Sequence, residues 1–317
     1  MAAATARWQR DAHGWEVPES RIHPIASVLT GLELAIERFS PPGAPVIVPT
    51  PAYMPFLTIP EGMGREVVEV PMALADGRYR YDLDGIDRAF RAGAGLLVLC
   101  NPCNPVGRVF ERAELEALAD IVERHGGRVF ADEVHAPIVY PGAAHLPYAS
   151  ISETAAGHAV TATSASKAWN LPGLKAAQLI LSSDADAETW ERTGGFHGAS
   201  TLGVIAQTAA YDEGRDWLGD IVGYLDGTRR LLGELIEEHL PGIGYTAPEG
   251  SYIAWLDTRG LGLGEPAAFF QERAGVALTE GAWTGAAGTG FMRFVFATPR
   301  PIVEEAVVRM GRALRSR

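Results

Sequence analysis

Residues 159–175 read AVTATSASKAWNLPGLK, and the fold class is clearest from this stretch. Residues 159–163 are a short run of apolar and β-branched side chains, which predicts a buried strand. Lys167 follows directly, at the strand exit, where a lysine can become a Schiff-base amine if its surroundings lower its pKa. A solvated loop lysine is the simpler interpretation of this residue taken alone.

Short apolar runs of the same kind alternate with segments of helical period through the first two thirds of the chain. Further strands are predicted at 46–48, 95–100, 128–131 and 176–181. This alternation is typical of parallel strands joined by right-handed helical crossovers. We therefore predict an α/β fold with a mainly parallel sheet sandwiched by helices.

The pattern changes near residue 210. Residues 201–240 are largely helical, and strands mixed with helices follow them. We expect an N-terminal segment over 1–25, a large domain over 26–210 and a smaller C-terminal α+β domain over 211–317. The sequence has no internal repeat and no long flexible linker, so we expect these parts to pack closely.

Composition narrows the class of protein and of partner. The 317 residues are 47% hydrophobic and 21% charged, which is ordinary for a chain that buries a core. A formal net charge of −12 repels nucleic acid and anionic membranes, so we expect neither as a partner and favour a small-molecule ligand. The chain has only two cysteines, no apolar run of membrane-spanning length, and no secretory signal in residues 1–15. These features predict a cytoplasmic protein.

Acidic side chains end the strand predicted at 128–131. Asp132 and Glu133 follow it, and His135 lies three residues beyond Asp132. The carboxyl ends of parallel strands border the crevice in which α/β sheets bind ligands. Metal ligation by these three side chains is one interpretation, but the other histidines show no zinc-like spacing, so we predict no metal site. A helix-capping aspartate beside a hydrogen-bonded histidine remains open.

The strand at 95–100 is followed by NPCNPVG at 101–107, a rigid turn that projects an amide side chain toward the same crevice. An amide there can hold a phenolic or carboxylate oxygen. Cys100 and Cys103 match a Cys-x-x-Cys pattern, but one isolated pair is weak evidence for a redox or zinc site. We treat that match as coincidence.

Three other residues have a functional and a structural interpretation. Tyr53 follows the strand at 46–48 and is either a ring at the site or a packed core tyrosine. Ser27 precedes a helix whose free N–H groups attract phosphate, although an ordinary N-cap explains it equally well. Arg293, on an alternating strand at 291–296, suits a carboxylate clamp or a solvent-facing position.

Two further motifs are weaker. Ser164 and Lys167 match the Ser-x-x-Lys of serine acyl hydrolases, with Ser164 as nucleophile. The Lys-Thr-Gly and Ser-Asp-Asn partners are missing, and that motif belongs at a helix start. Residues 285–290 are rich in glycine but lack the Lys-Ser/Thr of a P-loop, so we predict a turn there.

The order of these motifs resembles the fold-type I pyridoxal phosphate (PLP) enzymes, the class I/II aminotransferase superfamily, from about Trp8 to the C-terminus. Within that superfamily the chain is most similar to the MalY/PatB-type cystathionine β-lyases. Four segments carry this likeness: DEVH at 132–135, HLPYAS at 145–150, SASKAWNLPGL at 164–174 and PEGSYIAWLD at 248–257.

The resemblance implies a role for each polar residue near the crevice. Lys167 would bind PLP as an imine, Asp132 would pair with the pyridine nitrogen, and Tyr53 would stack on the ring. These three are the implied catalytic residues. Asn104 and His135 would face the ring hydroxyl, with His135 at a position where many relatives have tyrosine.

The resemblance also implies a phosphate site and a substrate clamp. Arg293, with Asn104, would bind the substrate carboxylate. The phosphate would be held by Ser164, by Lys175 and by the backbone of Ser27, Val28 and Leu29. Lys175 stands where aminotransferases have an arginine, so the charge is kept but the fork is not.

The implied reaction is β-elimination from an L-cysteine thioether to a thiol, pyruvate and ammonia, with Lys167 as general base. Transamination of an L-amino acid with a 2-oxo acid shares the early steps, so an aminotransferase is the first alternative. A catalytically impaired PLP-binding or regulatory protein is the second. The resemblance also implies a homodimer.

The family carries some sixty or more residues ahead of the segment that matches Trp8. These include an N-terminal arm with a tyrosine that reaches the phosphate of the partner subunit. The arm is missing ahead of residues 1–25. We expect either a misassigned start or a shortened protein whose site is partly open.

Overall fold

The fold is described from a computed structural model, which covers residues 1–75 and 77–317. Strands alternate with helices through the first half of the chain, as expected from the sequence. The strands are β1 (Ile22–Ile25), β2 (Val46–Thr50), β3 (Val67–Pro71), β4 (Ala73–Ala75), β5 (Arg78–Arg80), β6 (Leu96–Cys100), β7 (Arg128–Asp132), β8 (Ala159–Thr163), β9 (Ala177–Leu181), β10 (Gly244–Tyr245), β11 (Ile253–Asp257), β12 (Thr279–Glu280) and β13 (Phe291–Val295). The helices are α1 (Ala2–His13), α2 (Val28–Arg38), α3 (Pro55–Gly62), α4 (Leu83–Arg91), α5 (Arg112–Arg124), α6 (Glu153–His158), α7 (Asp184–Thr193), α8 (Thr201–Glu213), α9 (Arg215–His239), α10 (Pro266–Ala274) and α11 (Arg300–Arg315).

Seven strands form the central sheet, in the order β1-β9-β8-β7-β6-β2-β3. From β3 to β8 every neighbouring pair is parallel. Strands β2, β6, β8 and β9 are buried along their whole length, which explains why each reads as an almost continuous apolar run. The predicted α/β fold with a mainly parallel sheet is confirmed.

One predicted strand differs in direction from its neighbours. Strand β9 is antiparallel to β8, and it also pairs with β1 in antiparallel register. The connection from β8 to β9, residues 164–176, contains turns and a three-residue 3₁₀ segment at Pro172–Leu174 but no α-helix. A parallel return usually runs through a helix that crosses the sheet, and without one the chain reverses direction here.

The second sheet has four strands in the order β10-β11-β13-β12, and its described pairs are all antiparallel. Helices α9, α10 and α11 pack with it around a separate group of buried side chains. Helix α1 joins that group, because Trp8 stacks on Tyr211 with ring centroids 5.5 Å apart. None of the described helices is both long and apolar enough to cross a membrane.

Helix α2 brings its first turn to the carboxyl edge of the central sheet. Gly31 faces the sheet so closely that a Cβ there would lie 3.1 Å from the Cβ of Ala162 and 3.3 Å from the Phe130 ring. Both distances are tighter than ordinary packing, so a larger side chain would push the helix away. The glycine therefore seats α2 against β7 and β8, beside the ends of these two strands.

Candidate active site

A cavity of about 150 Å³ opens at the carboxyl edge of the central sheet. Its walls come from the first turn of α2, the turn after β2, the end of β7 and the turn after β8. Ser27, Tyr53, Asp132 and Lys167 contribute one side chain from each of these places. Cavities of this size admit one aromatic ring.

A buried glutamine on α8, Gln207, makes hydrogen bonds to the backbone on either side of Lys167. The Gln207 side chain accepts a hydrogen bond from the Ala165 N–H at 3.1 Å and donates one to the Ala176 carbonyl. Burial lowers the pKa of the Lys167 amine, Asp132 opposes this, and Arg293 and Lys175 add to it. A larger fraction of the amine is therefore uncharged, and hence nucleophilic, than in an exposed lysine.

Asp132 ends β7 and is only 4% exposed. Its Oδ1 accepts a hydrogen bond from the Val134 N–H at 3.0 Å, and its other oxygen has no hydrogen-bond partner among the described residues. Burial raises the pKa of Asp132 to about 7, although the Val134 N–H and Lys167 lower it. A carboxylate kept from water in this way favours a cationic partner inside the cavity.

The opposite end of the cavity is suited to an anion. Ser27 caps α2, and its Oγ accepts a hydrogen bond from the Thr30 N–H at 3.2 Å. The N–H groups of Val28 and Leu29, in the first turn of a helix, have no intrahelical partner, and such groups attract phosphate. Lys175, also on the cavity wall, adds a positive charge.

Arg293 lies beside this cavity with no acidic partner among the described residues. Its Nη1 donates to Asn104 Oδ1 at 3.3 Å and its Nη2 donates to Thr279 Oγ1 at 3.2 Å. Its Nε is buried and has no hydrogen-bond partner in the described part of the chain. Burial lowers the pKa of Arg293, while Tyr53 and Tyr252 raise it. A partly desolvated guanidinium of this kind is suited to binding a carboxylate.

The residues of the DEVH segment have three different sets of partners. Glu133 accepts a hydrogen bond from the Tyr148 N–H at 2.8 Å and contacts His145 Nε2 at 3.3 Å. His135 Nδ1 lies 3.1 Å from Ser251 Oγ. Because Asp132 faces the cavity instead, the three side chains do not converge on one point. The described residues contain no group of three or more acidic, histidine or cysteine side chains that could hold a metal ion.

Most of the predicted site residues share the cavity wall. Those on the lining are Ser27, Val28, Leu29, Tyr53, Asp132, Ser164, Lys167 and Lys175. Asn104, His135 and Arg293 are not on that lining. Arg293 and Lys167 both lie close enough to His135 to lower its pKa, and Arg293 contacts Asn104, so these three residues border the same region.

The structure disfavours Ser164 as an exposed nucleophile. Its side chain is 1% exposed, and its hydroxyl donates to the Ala176 carbonyl at 2.9 Å while accepting from the Ser166 N–H. The predicted turn at 285–290 contains a short 3₁₀ segment, Ala286–Gly288. Cys100 and Cys103 are free and buried beside Asn104.

Several residues at the site had no role in the sequence analysis. Ser166 lines the cavity, Gln207 supports the lysine turn, and Ser251 and Tyr252 contact His135 from the smaller sheet. Ser251 and Tyr252 belong to the segment PEGSYIAWLD, whose sequence resembles the family but does not by itself indicate a role for either residue. A serine with a φ of +70° is uncommon, but no local pattern reveals that angle.

The cavity fits PLP on three observations. Its size suits one aromatic ring, its buried carboxyl at Asp132 suits a protonated ring nitrogen, and its opposite end suits a phosphate. Lys167 also lines the cavity, and Asp132 and Lys175 both lie close enough to it to affect the pKa of its amine. None of the described charged residues on the wall opposes this placement, since Lys175 stands at the phosphate end and Asp132 at the nitrogen end.

Comparison with known proteins identifies close relatives. Residues 4–310 match the family model of aminotransferases of class I and II. The chain is 38% identical to the cystathionine β-lyase of Corynebacterium glutamicum, over 94% of this chain and 78% of that protein. It is 31% identical to the cystathionine β-lyase PatB of Bacillus subtilis, over 98% of this chain and 82% of PatB.

A solved structure gives the same result. Cystalysin from Treponema denticola, whose crystal structure contains a pyridoxal 5′-phosphate cofactor, superposes with a TM-score of 0.95. It is 29% identical, and the match covers 99% of this chain and 82% of cystalysin. The resemblance found in the motifs is therefore confirmed across the whole chain, which belongs to the class I and II aminotransferase family of PLP-dependent fold-type I enzymes.

Proposed function

We propose that this protein is a PLP-dependent carbon–sulfur β-lyase. It converts an L-cysteine thioether and water to a thiol, pyruvate and ammonia. The observation that carries the proposal is that one cavity is walled by a buried acid, a lysine of lowered pKa and the first turn of a helix, beside an arginine that has no acidic partner among the described residues. Relatives named cystathionine β-lyases favour elimination over transamination.

PLP, when bound, supplies an electron sink that stabilises negative charge on the substrate α-carbon. The Asp132 carboxylate would hold a proton on the ring nitrogen, because an ion pair is strong where water is excluded. The Lys167 Nζ would hold the cofactor and, once free, remove the α-proton as general base. Arg293 would bind the substrate carboxylate, and Tyr53 would pack on the ring face.

The phosphate would be held at the other end of the cavity. We assign this role to the hydroxyl of Ser164, the amine of Lys175 and the backbone N–H groups of Ser27, Val28 and Leu29. The Ser164 proton is donated to the Ala176 carbonyl in this structure, so it must rotate away to serve a phosphate oxygen. Asn104 would orient both the ring oxygen and Arg293, since its Oδ1 already accepts from Nη1.

The deciding experiment is an assay for keto acid without any amino acceptor. Purified protein loaded with PLP is incubated with cystathionine or another S-substituted cysteine, and pyruvate and thiol are measured. Equal amounts of both products support the lyase. Strict dependence on added 2-oxoglutarate would assign the protein to the aminotransferases instead. A cofactor absorption band that no substrate alters would indicate a PLP-binding protein without catalysis.

Arg293 provides the first prediction. Replacing Arg293 with Gln should raise KM for the amino acid by roughly a hundredfold and change kcat little, because a charge-assisted contact to the carboxylate is lost. Steady-state pyruvate formation measures both constants. Arg259→Gln is a matched control, since Arg259 is an exposed arginine that pairs with Asp257. An unchanged KM in Arg293→Gln would remove Arg293 from the substrate site.

We also propose a homodimer, supported by an apolar patch near the phosphate end. Phe196, Leu202 and Ile205 are 83%, 68% and 60% exposed. The segment that carries them is tied to the cavity, because the Ser200 N–H donates to the Lys175 carbonyl and the Ala26 N–H donates to the His197 carbonyl. Covering this patch with a second copy would place the partner next to the phosphate site.

The patch gives a second prediction. The double variant Leu202→Glu, Ile205→Glu should weaken dimerisation at least tenfold, because two charges would enter an apolar interface. Sedimentation equilibrium over a concentration series measures the dissociation constant. Ile302→Glu serves as the control, since Ile302 is similarly exposed but lies on α11. A wild-type protein that sediments as a monomer would contradict the proposal.

The proposed domain division follows the two sheets. We assign residues 1–25 to an N-terminal segment, 26–210 to a cofactor-binding domain and 211–317 to a small C-terminal domain. In support, the smaller sheet begins at β10, and all strands of the larger sheet lie before residue 182. Helix α9 begins at Arg215, close to the proposed boundary.

We further propose that the protein works in the cytoplasm on a small amino acid, without nucleic acid or membrane partners. Both cysteines are free thiols, which is ordinary in a reducing compartment. The net charge of −12 disfavours binding to phosphate-rich polymers and surfaces.

A further inference from the structure

Ser251 lies just before β11 in an unusual backbone conformation. Its φ is +70°, and its side chain is fully buried. The left-handed region is costly for a residue other than glycine, so surrounding contacts must hold it there. They are present: the Ser251 N–H donates to the Ile138 carbonyl at 2.8 Å, and the Tyr140 hydroxyl donates to the Ser251 carbonyl at 2.5 Å.

The result of this conformation is a contact across the two sheets. Ser251 Oγ lies 3.1 Å from His135 Nδ1, although the residues are 116 positions apart. His135 is itself 3% exposed. Neither the hydroxyl nor the imidazole has another hydrogen-bond partner among the described residues. A buried hydroxyl proton needs an acceptor, and Nδ1 is the acceptor within reach.

This contact decides which nitrogen of His135 carries the proton. If Ser251 Oγ–H donates to Nδ1, the neutral ring has its own proton on Nε2. The ring stays neutral because burial, together with the charges of Lys167 and Arg293, lowers the pKa of His135 to about 3. The Nε2–H group then becomes a neutral donor in the region that those two cations border, where an anionic oxygen is favoured.

We propose that Ser251 is a positioning residue that fixes His135 as the Nε2–H tautomer, so that His135 donates a hydrogen bond to the ring oxygen of the bound cofactor. The inference rests on the proposed PLP-dependent function. Ser251 touches neither the cofactor nor the substrate and acts only through His135. It thereby links the geometry of the smaller sheet to the electronics of the site.

The tautomer can be read directly by long-range proton–nitrogen NMR of the full chain with ¹⁵N-labelled histidine, with and without PLP. The His135 signals are those lost in His135→Asn. The wild-type protein should show the Nε2–H pattern in both states. Ser251→Ala and Ser251→Gly should both lose the single pattern, and their dissociation constants for PLP, measured by equilibrium dialysis, should rise roughly two- to tenfold.

The pair of variants separates the hydroxyl from the backbone. Alanine keeps the strained φ, whereas glycine adopts it freely, so an effect common to both comes from the lost hydroxyl. Ser40→Ala is the matched control, because Ser40 is another buried serine, whose hydroxyl donates to the Ile36 carbonyl. If Ser251→Ala fails to fold, Ser251→Gly carries the test.

An Nδ1–H pattern in the wild type would overturn the inference. So would a single unchanged tautomer and an unchanged dissociation constant in both Ser251 variants. Failure of the proposed function looks different, because a protein that never binds PLP still gives the tautomer of its cofactor-free form.

Discussion

Replacing Lys167 with alanine is expected to lower the rate of pyruvate formation by at least about a thousandfold, because the variant loses both the amine that holds the cofactor and the general base. The small number of lysines in the chain makes the site of cofactor attachment easy to identify. Lys167 and Lys175 are its two lysines, and both line the cavity. Borohydride reduction of the PLP-loaded protein, followed by peptide mass mapping, therefore has two side-chain amines to distinguish.

The second lysine is the natural control. Lys175→Gln should retain the reduced cofactor adduct on Lys167 and bind PLP more weakly, because only a charge near the phosphate is removed. Lys167→Ala should bind PLP without a reducible bond. Added small primary amines should restore part of its activity, since they can replace the missing base. An adduct on Lys175, or full activity in Lys167→Ala, would contradict the assignment.

Replacing Asp132 with asparagine is expected to lower kcat roughly 10²–10³-fold, because a neutral amide cannot hold a proton on the cofactor ring. Asparagine keeps the shape and can still accept the Val134 N–H, so the loss reflects charge. The same variant should stabilise the cofactor-free protein at pH 8. There the wild type must keep a buried carboxylate ionised, and the asparagine variant does not.

The pH dependence has a definite sign. Burial raises the pKa of Asp132 to about 7 from its ordinary value of 3.8, so the folded state binds the proton more tightly than the unfolded state. The stability of the wild type should therefore fall as pH rises from about 4 to about 7, and the variant should lack this loss. The expected gain at pH 8 is roughly 2–4 kcal/mol in the free energy of unfolding, and it should vanish below pH 4.

Thermal unfolding at several pH values, with and without PLP, measures the stability of the wild type and of Asp132→Asn, and the pyruvate assay measures their activity. Glu133→Gln is the control, because Glu133 is the adjacent buried acid but pairs with Tyr148 and His145. It should leave the absorption band of the bound cofactor unchanged. A stability difference between wild type and Asp132→Asn that does not depend on pH would show that the pKa of Asp132 is not raised in the folded protein.

The parts of the site that follow strands were accessible from the sequence. Tyr53, Asp132 and Lys167 come after β2, at the end of β7 and after β8, and these strands read as apolar runs because they are buried on both faces. Since parallel strands end at one edge of a sheet, side chains at three strand exits must lie near one another. Local sequence patterns are therefore sufficient to predict that these three side chains lie near one another.

The parts that depend on distant contacts were not accessible. The direction of β9 goes with the lack of an α-helix in the connection after β8 and with its pairing with β1, which was not predicted as a strand. The support of the lysine turn by Gln207 joins residues 42 positions apart. A glutamine within a helical segment carries no local sign of such a role.

The amino-acid sequence by itself determined the α/β class, the strand exits and the order of motifs that ties this chain to its family, because each depends on residues within one strand, turn or helix. Only the tertiary structure decided that Arg293 meets Asn104, 189 positions away, with no acidic partner among the residues that the structure describes, and that Ser251 meets His135, 116 positions away. Burial and hydrogen-bond partners set the charge and tautomer of a side chain, and for Arg293 and His135 one such partner, Asn104 and Ser251 respectively, lies on a segment next to the other sheet.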